Sequence, residues 1–158
     1  MDVICRPITS QDLAMLQSVG GDRTDGLTGW LKQKAFAGLA AYHADHDADH
    51  DADHDNMLGY VVGFSVDGES EIIDLVVRPD ARRQGIALML IDQFCHRFCD
   101  QMAYLEVARN NIAAYQLYRA AGFIQYGIRK AYYQTADGTE DAVLMRKTGS
   151  KSRRQSEP

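Results

Sequence analysis

Val77-Arg78-Pro79-Asp80-Ala81-Arg82-Arg83-Gln84-Gly85-Ile86-Ala87 joins two apolar segments of different period and carries the pattern R-x-x-G-x-A. Ahead of it, 71–77 is nearly continuously apolar after its first residues, as a central strand covered on both faces would be. Behind it, Ile86, Leu90, Phe94 and Phe98, with Met89 and Arg97 alongside, give 84–100 the period of a helix with one apolar face. The first N–H groups of such a helix have no partner inside it, and the helix dipole adds partial positive charge there, so a diphosphate fits the junction. Gly85 and Ala87 keep side chains out of that approach, while Arg78, Arg82 and Arg83 raise the local potential. A tight turn with a solvated basic rim has the same pattern, so the motif alone does not decide function.

Downstream of the junction, 103–107 reads as a strand, 111–121 as a helix stopped by Gly122, and 123–133 and 141–147 as a hairpin about Asp137-Gly138. Upstream, 3–8 reads as a short strand, and Thr9, Ser10, Gln11 and Asp12 suit the start of a helix through Leu13, Leu16 and Gln17. Gly20, Gly21, Gly26 and Gly29 are mixed with Asp22, Thr24, Asp25 and Thr28, which implies a mobile connection before a second helical stretch at 30–36. Strands at 38–43 and 57–66 complete an antiparallel meander. Alternating strands and helices in the second half imply parallel strands joined by right-handed crossovers. The fold class is therefore α/β (α+β): one domain over 1–148, with a mixed central sheet of about six to seven strands flanked by about four helices.

The 158 residues, 46% hydrophobic and 25% charged, fit one ordinary globule. No apolar run reaches the roughly eighteen residues of a membrane helix, and the start lacks a signal-peptide layout, so a cytoplasmic protein without a membrane partner is expected. Six acids of the net charge of −5 lie in one insert, Ala-Asp-His-Asp repeated three times over 44–55. The remainder is near neutral and has no basic footprint for nucleic acid. His46, His50 and His54 would share a face if the insert were helical, a conceivable nickel or zinc site. Asp and His are poor helix formers and hairpin tips tolerate insertions, so a solvated tip with no required metal is the preferred expectation. Cys5, Cys95 and Cys99 are an odd, sparse set that fits reduced thiols. Residues 149–158 form a basic tail expected to be disordered.

The junction resembles the cofactor motif of the GNAT acetyltransferase superfamily, Q/R-x-x-G-x-G/A. Arg6-Pro7-Ile8-Thr9 to Asp12-Leu13 resembles that superfamily's start, and Ala113 to Gly122-Phe123, with Tyr118 inside it, its late helix motif. Tyr104-Leu105-Glu106-Val107, Asn111, Leu117-Tyr118, Ile128-Arg129-Lys130-Ala131-Tyr132-Tyr133, Asp137-Gly138 and Glu140-Asp141-Ala142 resemble the RimI-like branch, the ribosomal-protein-alanine N-acetyltransferases. The likeness covers 72–145 well and the first third poorly.

The resemblance implies acetyl-CoA as co-substrate, with main-chain groups of Leu75, Val76 and Val77 at its acetyl and pantetheine end. It implies Arg82, Arg83, Gln84, Gly85, Ile86, Ala87 and Leu88 at the diphosphate, and Asn111 against the same molecule. Glu106 matches the base and Tyr118 the acid. Their chemistry agrees with the implied roles, since an ammonium group must lose a proton before attacking a thioester and the departing thiolate must gain one. Trp30, Tyr132 and Tyr133 are the candidate acceptor-binding residues. The acceptor implied is a peptide or protein N-terminus. A small amine such as a polyamine, amino acid or drug is the alternative, because the branch's proline-and-tryptophan acceptor segment is replaced by the glycine-rich 20–29. The arginine directly after Glu-Val is also missing, and Arg109 is displaced. A metal-binding module built on the Asp/His repeat is the alternative from another class.

Overall fold

The computed structural model describes residues 2–44 and 56–149, so nearly all of the Asp/His repeat and of the basic tail lies outside the described residues. Seven strands form one mixed sheet: β1 (Val3–Pro7), β2 (Phe36–His43), β3 (Met57–Val66), β4 (Glu69–Val77), β5 (Met102–Ala108), β6 (Ile124–Thr135) and β7 (Gly138–Thr148). Their order is β1-β2-β3-β4-β5-β7-β6. The helices are α1 (Leu13–Gly20), α2 (Leu27–Leu31), α3 (Ile86–Phe98) and α4 (Ile112–Ala120).

The first four strands are antiparallel neighbours, as the meander requires. The second half departs from the expected run of parallel pairs. Among the described residues only β4 and β5 pair in parallel, whereas β7 pairs antiparallel with both β5 and β6. β5 and β6 do run the same way, but the chain crosses over through α4 to the sheet's edge and β7 returns between them. The two-residue turn, Ala136-Asp137, one position before the expected Asp137-Gly138, makes that return cheap, because a hairpin partner is the nearest strand available.

Two apolar clusters hold the sheet from opposite sides. Ile86, Leu90, Ile91 and Phe94 of α3 pack on Leu39, Val61, Ile72 and Leu105 of the strands. Leu16 of α1 and Leu27 of α2 pack with Ala40, Tyr42, Tyr60 and Val62 on the other face. That second cover is formed mainly with β2 and β3 and reaches β4 only at Val76, so the first half of β4 keeps Glu69, Glu71 and Ile73 exposed and lacks the cover on both faces that the composition of 71–77 suggests. Ser65 of β3 closes the far end of α3, its Oγ donating to the Phe98 carbonyl at 2.7 Å. Within the core, burial pushes Cys95 up to about 11 and Cys99 to about 12, which leaves both as neutral thiols.

Residues 20–29 do not form the mobile connection their glycines imply. A 3-10 turn spans Gly21–Thr24, Thr24 Oγ1 donates to the Gly21 carbonyl at 2.7 Å, and α2 follows. Gly20 is there for close approach, since a Cβ would lie 2.2 Å from the Tyr60 hydroxyl. The second helical stretch likewise starts earlier than 30–36. Leu27, 1% exposed, is its anchor, and Phe36 already belongs to β2.

At the chain's start, Asp12 is 1% exposed and ties three elements together. Arg6 donates from Nη2 at 2.6 Å, the Thr9 N–H donates at 2.7 Å, and Tyr42 Oη donates at 3.1 Å. Burial opposes ionisation of this carboxyl, but the Arg6 and Thr9 hydrogen bonds outweigh it and hold its pKa below the ordinary value. Stability from Asp12 is therefore complete above the unfolded carboxyl value near 3.9 and is lost as pH falls through the lower folded value. Asp12→Ala is expected to cost about 3 kcal/mol near neutrality, by urea denaturation, with the difference from wild type shrinking towards pH 2. An equal penalty at pH 7 and pH 2 would contradict this assignment.

Candidate active site

The sheet opens in its middle because β4 bends while β5 does not. In the β3–β4 ladder Val62 faces Asp74 but Gly63 faces Ile72, so Ile73 is an extra residue, a bulge. The β4–β5 register runs from Glu69↔Met102 to Ile72↔Leu105 and stops at that bulge. Beyond it the two strands part, which leaves main-chain groups of Leu75, Val76 and Val77 on one arm of a cleft and Glu106 on the other.

At the end of the β4 arm, Pro79–Ala81 forms one 3-10 turn and the chain then enters α3 through two left-handed residues, Arg83 (φ 63°) and Gly85 (φ 81°). Glycine suits the second of these, where an L side chain is strained, and nothing lies within 4 Å of where its Cβ would be. The N–H groups of the first turn of a 13-residue helix therefore open onto free space beside Gln84, Gly85, Ile86, Ala87 and Leu88. The three arginines have separate duties. Arg78 pairs with Asp80, Arg82 Nε donates to the Val77 carbonyl at 3.1 Å and straps the turn to β4, and Arg83 carries no hydrogen bond or ion pair among the described residues. Asn111 caps α4, its Oδ1 accepting from the Ala114 N–H at 3.2 Å, which sets the start of the helix that carries Tyr118.

Glu106, with a side chain 19% exposed, forms an ion pair with Arg129 Nη1 at 2.9 Å. Tyr118 stands edge-on to Phe123 with centroids 6.1 Å apart. Burial, and after it the Asp74 carboxylate, push the Tyr118 phenol up to about 12, so it keeps its proton at any physiological pH. Burial and then the negative charge of Glu106 also raise Tyr133. Tyr132 and Tyr133 meet edge-to-face at 5.0 Å, and the Arg129 guanidinium lies 4.7 Å from the Tyr132 ring centre. The structure thus gathers Glu106, Tyr118, Tyr132 and Tyr133 at the parted strand ends. It does not bring Trp30 there: that ring packs on Phe64, which faces Glu71 at the opposite end of β3 from the Gly59–Val77 pair.

Two charged groups of the site were passed over in the sequence. Asp74, 12% exposed, accepts from Tyr60 Oη at 3.1 Å and pairs with Arg23 Nε at 3.5 Å. A lone acid within the apolar run 72–77 was its signal. Arg129 lies beside the aromatic pair, and a cation next to two tyrosines was the corresponding signal. Among the described residues no group of three His, Cys, Asp or Glu could hold a metal ion, and no helix is long and apolar enough to cross a membrane.

Residues 17–123 match the family model described as Acetyltransferase (GNAT) family. The chain belongs to the GNAT acetyltransferase family. Within GNAT proteins it is similar to the [ribosomal protein bS18]-alanine N-acetyltransferase of Escherichia coli K12, 39% identical over 93 residues. That alignment covers 56% of this chain and 62% of the relative, so the match spans less than two thirds of the relative's length. The GNAT fold agrees with the crystal structure of the ribosomal-protein-S18-alanine N-acetyltransferase from Escherichia coli at a TM-score of 0.76 and 24% identity, over 94% of this chain and 95% of that one. Spermidine N-acetyltransferase from Vibrio cholerae, solved with CoA and spermine, has the same fold at a TM-score of 0.75 and 18% identity, over 94% and 96% of the two chains.

Proposed function

We propose that this protein transfers the acetyl group of acetyl-CoA to the N-terminal amine of a protein or peptide by direct attack. The observation that carries the proposal is the parted β4–β5 pair, with a left-handed glycine and a helix N-terminus on one arm and a carboxylate on the other. Leu75, Val76 and Val77 offer main-chain groups to an extended pantetheine. The α3 mouth at Gly85, with Arg83 beside it, offers N–H groups and positive charge to a diphosphate. Acetyl-CoA supplies a thioester, whose carbonyl carbon is open to a neutral amine.

Glu106, directly or through water, removes the proton that an ammonium group must lose. The amine nitrogen bonds to the acetyl carbon and sheds its second proton to water, the carbon–sulfur bond breaks, and Tyr118 gives its proton to the departing thiolate. The products are an N-acetyl amine and free coenzyme A, and both side chains regain their starting states from solvent. Identity to an alanine N-acetyltransferase supports an N-terminal acceptor, with the cytoplasm as its site of action. Fold agreement alone links the chain to a polyamine enzyme.

Calorimetric titration with acetyl-CoA tests the proposal at its root. Saturable binding is expected, weakened about tenfold or more in Gly85→Val, since a β-branched residue resists the left-handed conformation and crowds the mouth. Absence of saturable binding in the wild type would remove the function proposed here.

A further inference from the structure

We propose that Arg129 is a specificity-determining residue, which with Glu106 forms a two-point recogniser for an acceptor whose amine sits next to a carbonyl. This rests on the acetyltransferase function above and names the feature by which the site selects its amine.

The position of Arg129 is built by an irregularity in β6. Arg129 faces Ala142 and Tyr133 faces Glu140, so residues 130–132 stand opposite Asp141 alone. Asp141 holds this wide bulge closed: Oδ1 accepts from the Ala131 N–H at 3.0 Å, and Oδ2 accepts from Lys130 Nζ at 3.0 Å and Arg109 Nη1 at 3.2 Å. Ala131 is left-handed at φ 50°, a conformation that an alanine keeps only where its surroundings demand it. The displaced Arg109 thus serves the hairpin, and Arg129 is the arginine turned to the base.

The guanidinium so placed is only partly used. It forms an ion pair with Glu106 Oε1 at 2.9 Å and its flat face lies 4.7 Å from the Tyr132 ring centre, while the side chain is still 49% exposed. A guanidinium has five N–H donors and a carboxylate about four acceptor sites, so each partner has capacity left for a ligand. In an α-amino amide the nitrogen and carbonyl oxygen lie roughly 3 Å apart by ordinary bond lengths, close to the Glu106–Arg129 spacing. The amine can then donate to Glu106 while the adjacent carbonyl accepts from Arg129. A polyamine offers no acceptor to the guanidinium and brings a further positive charge against it. Arg129 therefore selects an aminoacyl acceptor both by attraction and by repulsion of the competitor.

Coenzyme A release distinguishes the outcomes, with rates expressed per unprotonated amine. The acceptors are an alanine-initiated peptide, the same peptide with a trans-alkene in place of its first amide, and spermidine. A charge-assisted hydrogen bond predicts that the wild type loses about tenfold to a hundredfold in kcat/KM on the alkene peptide. Arg129→Ala is expected to lose as much on the natural peptide, chiefly in KM, and nothing further on the alkene. Arg129→Lys should recover part of the loss, and acetyl-CoA affinity should be unchanged in both variants. Equal use of the two peptides by the wild type overturns the proposal whether or not a variant folds. So does undiminished discrimination in Arg129→Ala, or a wild type that uses spermidine and not the peptide. No release from any acceptor overturns the acetyltransferase function itself.

Discussion

Glu106→Gln lowers turnover by about 10²- to 10⁴-fold, the range that a positioned general base contributes. The amide keeps the shape of the carboxylate but cannot take a proton, so the amine must reach its reactive form in bulk solvent. The loss corresponds to about 3 to 5 kcal/mol of transition-state stabilisation. Affinity for acetyl-CoA should be unaffected, because Glu106 lies on the arm away from the helix mouth. Tyr118→Phe should show the same division with a smaller loss, since water can protonate a thiolate in its place. With that phenol held up to about 12, the wild-type rate should show no loss of the acid form across pH 7 to 10. Coenzyme A release and calorimetry on the same preparations check both expectations. Turnover within twofold of wild type in both variants would remove the acid and base roles.

Gly63→Ala is expected to destabilise the fold by about 3 kcal/mol or more, at the upper end of what overpacking costs. A Cβ at Gly63 would lie 1.9 Å from the Glu71 carbonyl oxygen, which belongs to a neighbouring strand and not to a side chain that can rotate away. β3 and β4 must separate at the position where the Ile73 bulge begins. The urea midpoint should fall accordingly. Gly29→Ala is the control: nothing lies within 4 Å of its Cβ, and in α2 an alanine is favoured by roughly 0.5–1 kcal/mol. Equal midpoints for Gly63→Ala and wild type would refute the close-approach argument.

Which parts of this molecule could be seen in its sequence follows from the range of the forces concerned. The period of Ile86, Leu90 and Phe94, and the junction through Gly85, are local, and the structure has α3 and its left-handed entry where they point. Met57–Val66 coincides with the expected strand because its apolar residues have no competing turn signal. The glycines of 20–29 misled because a glycine marks either freedom or crowding, and only the tertiary contact of Gly20 with Tyr60 tells which. β7 between β5 and β6 was hidden for a similar reason, since pairing order is decided by what lies nearest in space. Asp74 and Arg129 left only a local hint, an acid in an apolar run and a cation beside two tyrosines, because their importance comes from partners 14 and 23 positions away, Tyr60 and Glu106.

The four rungs from Glu69↔Met102 to Ile72↔Leu105 act as a fulcrum, with β1 to β4 as one lever and β5, β7 and β6 as the other. A small change of twist there is magnified along both arms, so the gap between Val77 and Glu106 changes more than the rungs themselves. Ser70 and Ala103, a buried pair on that fulcrum, touch neither carboxylate nor helix mouth. Bulk added at either would set the jaw width, and with it the distance over which an acetyl group must travel.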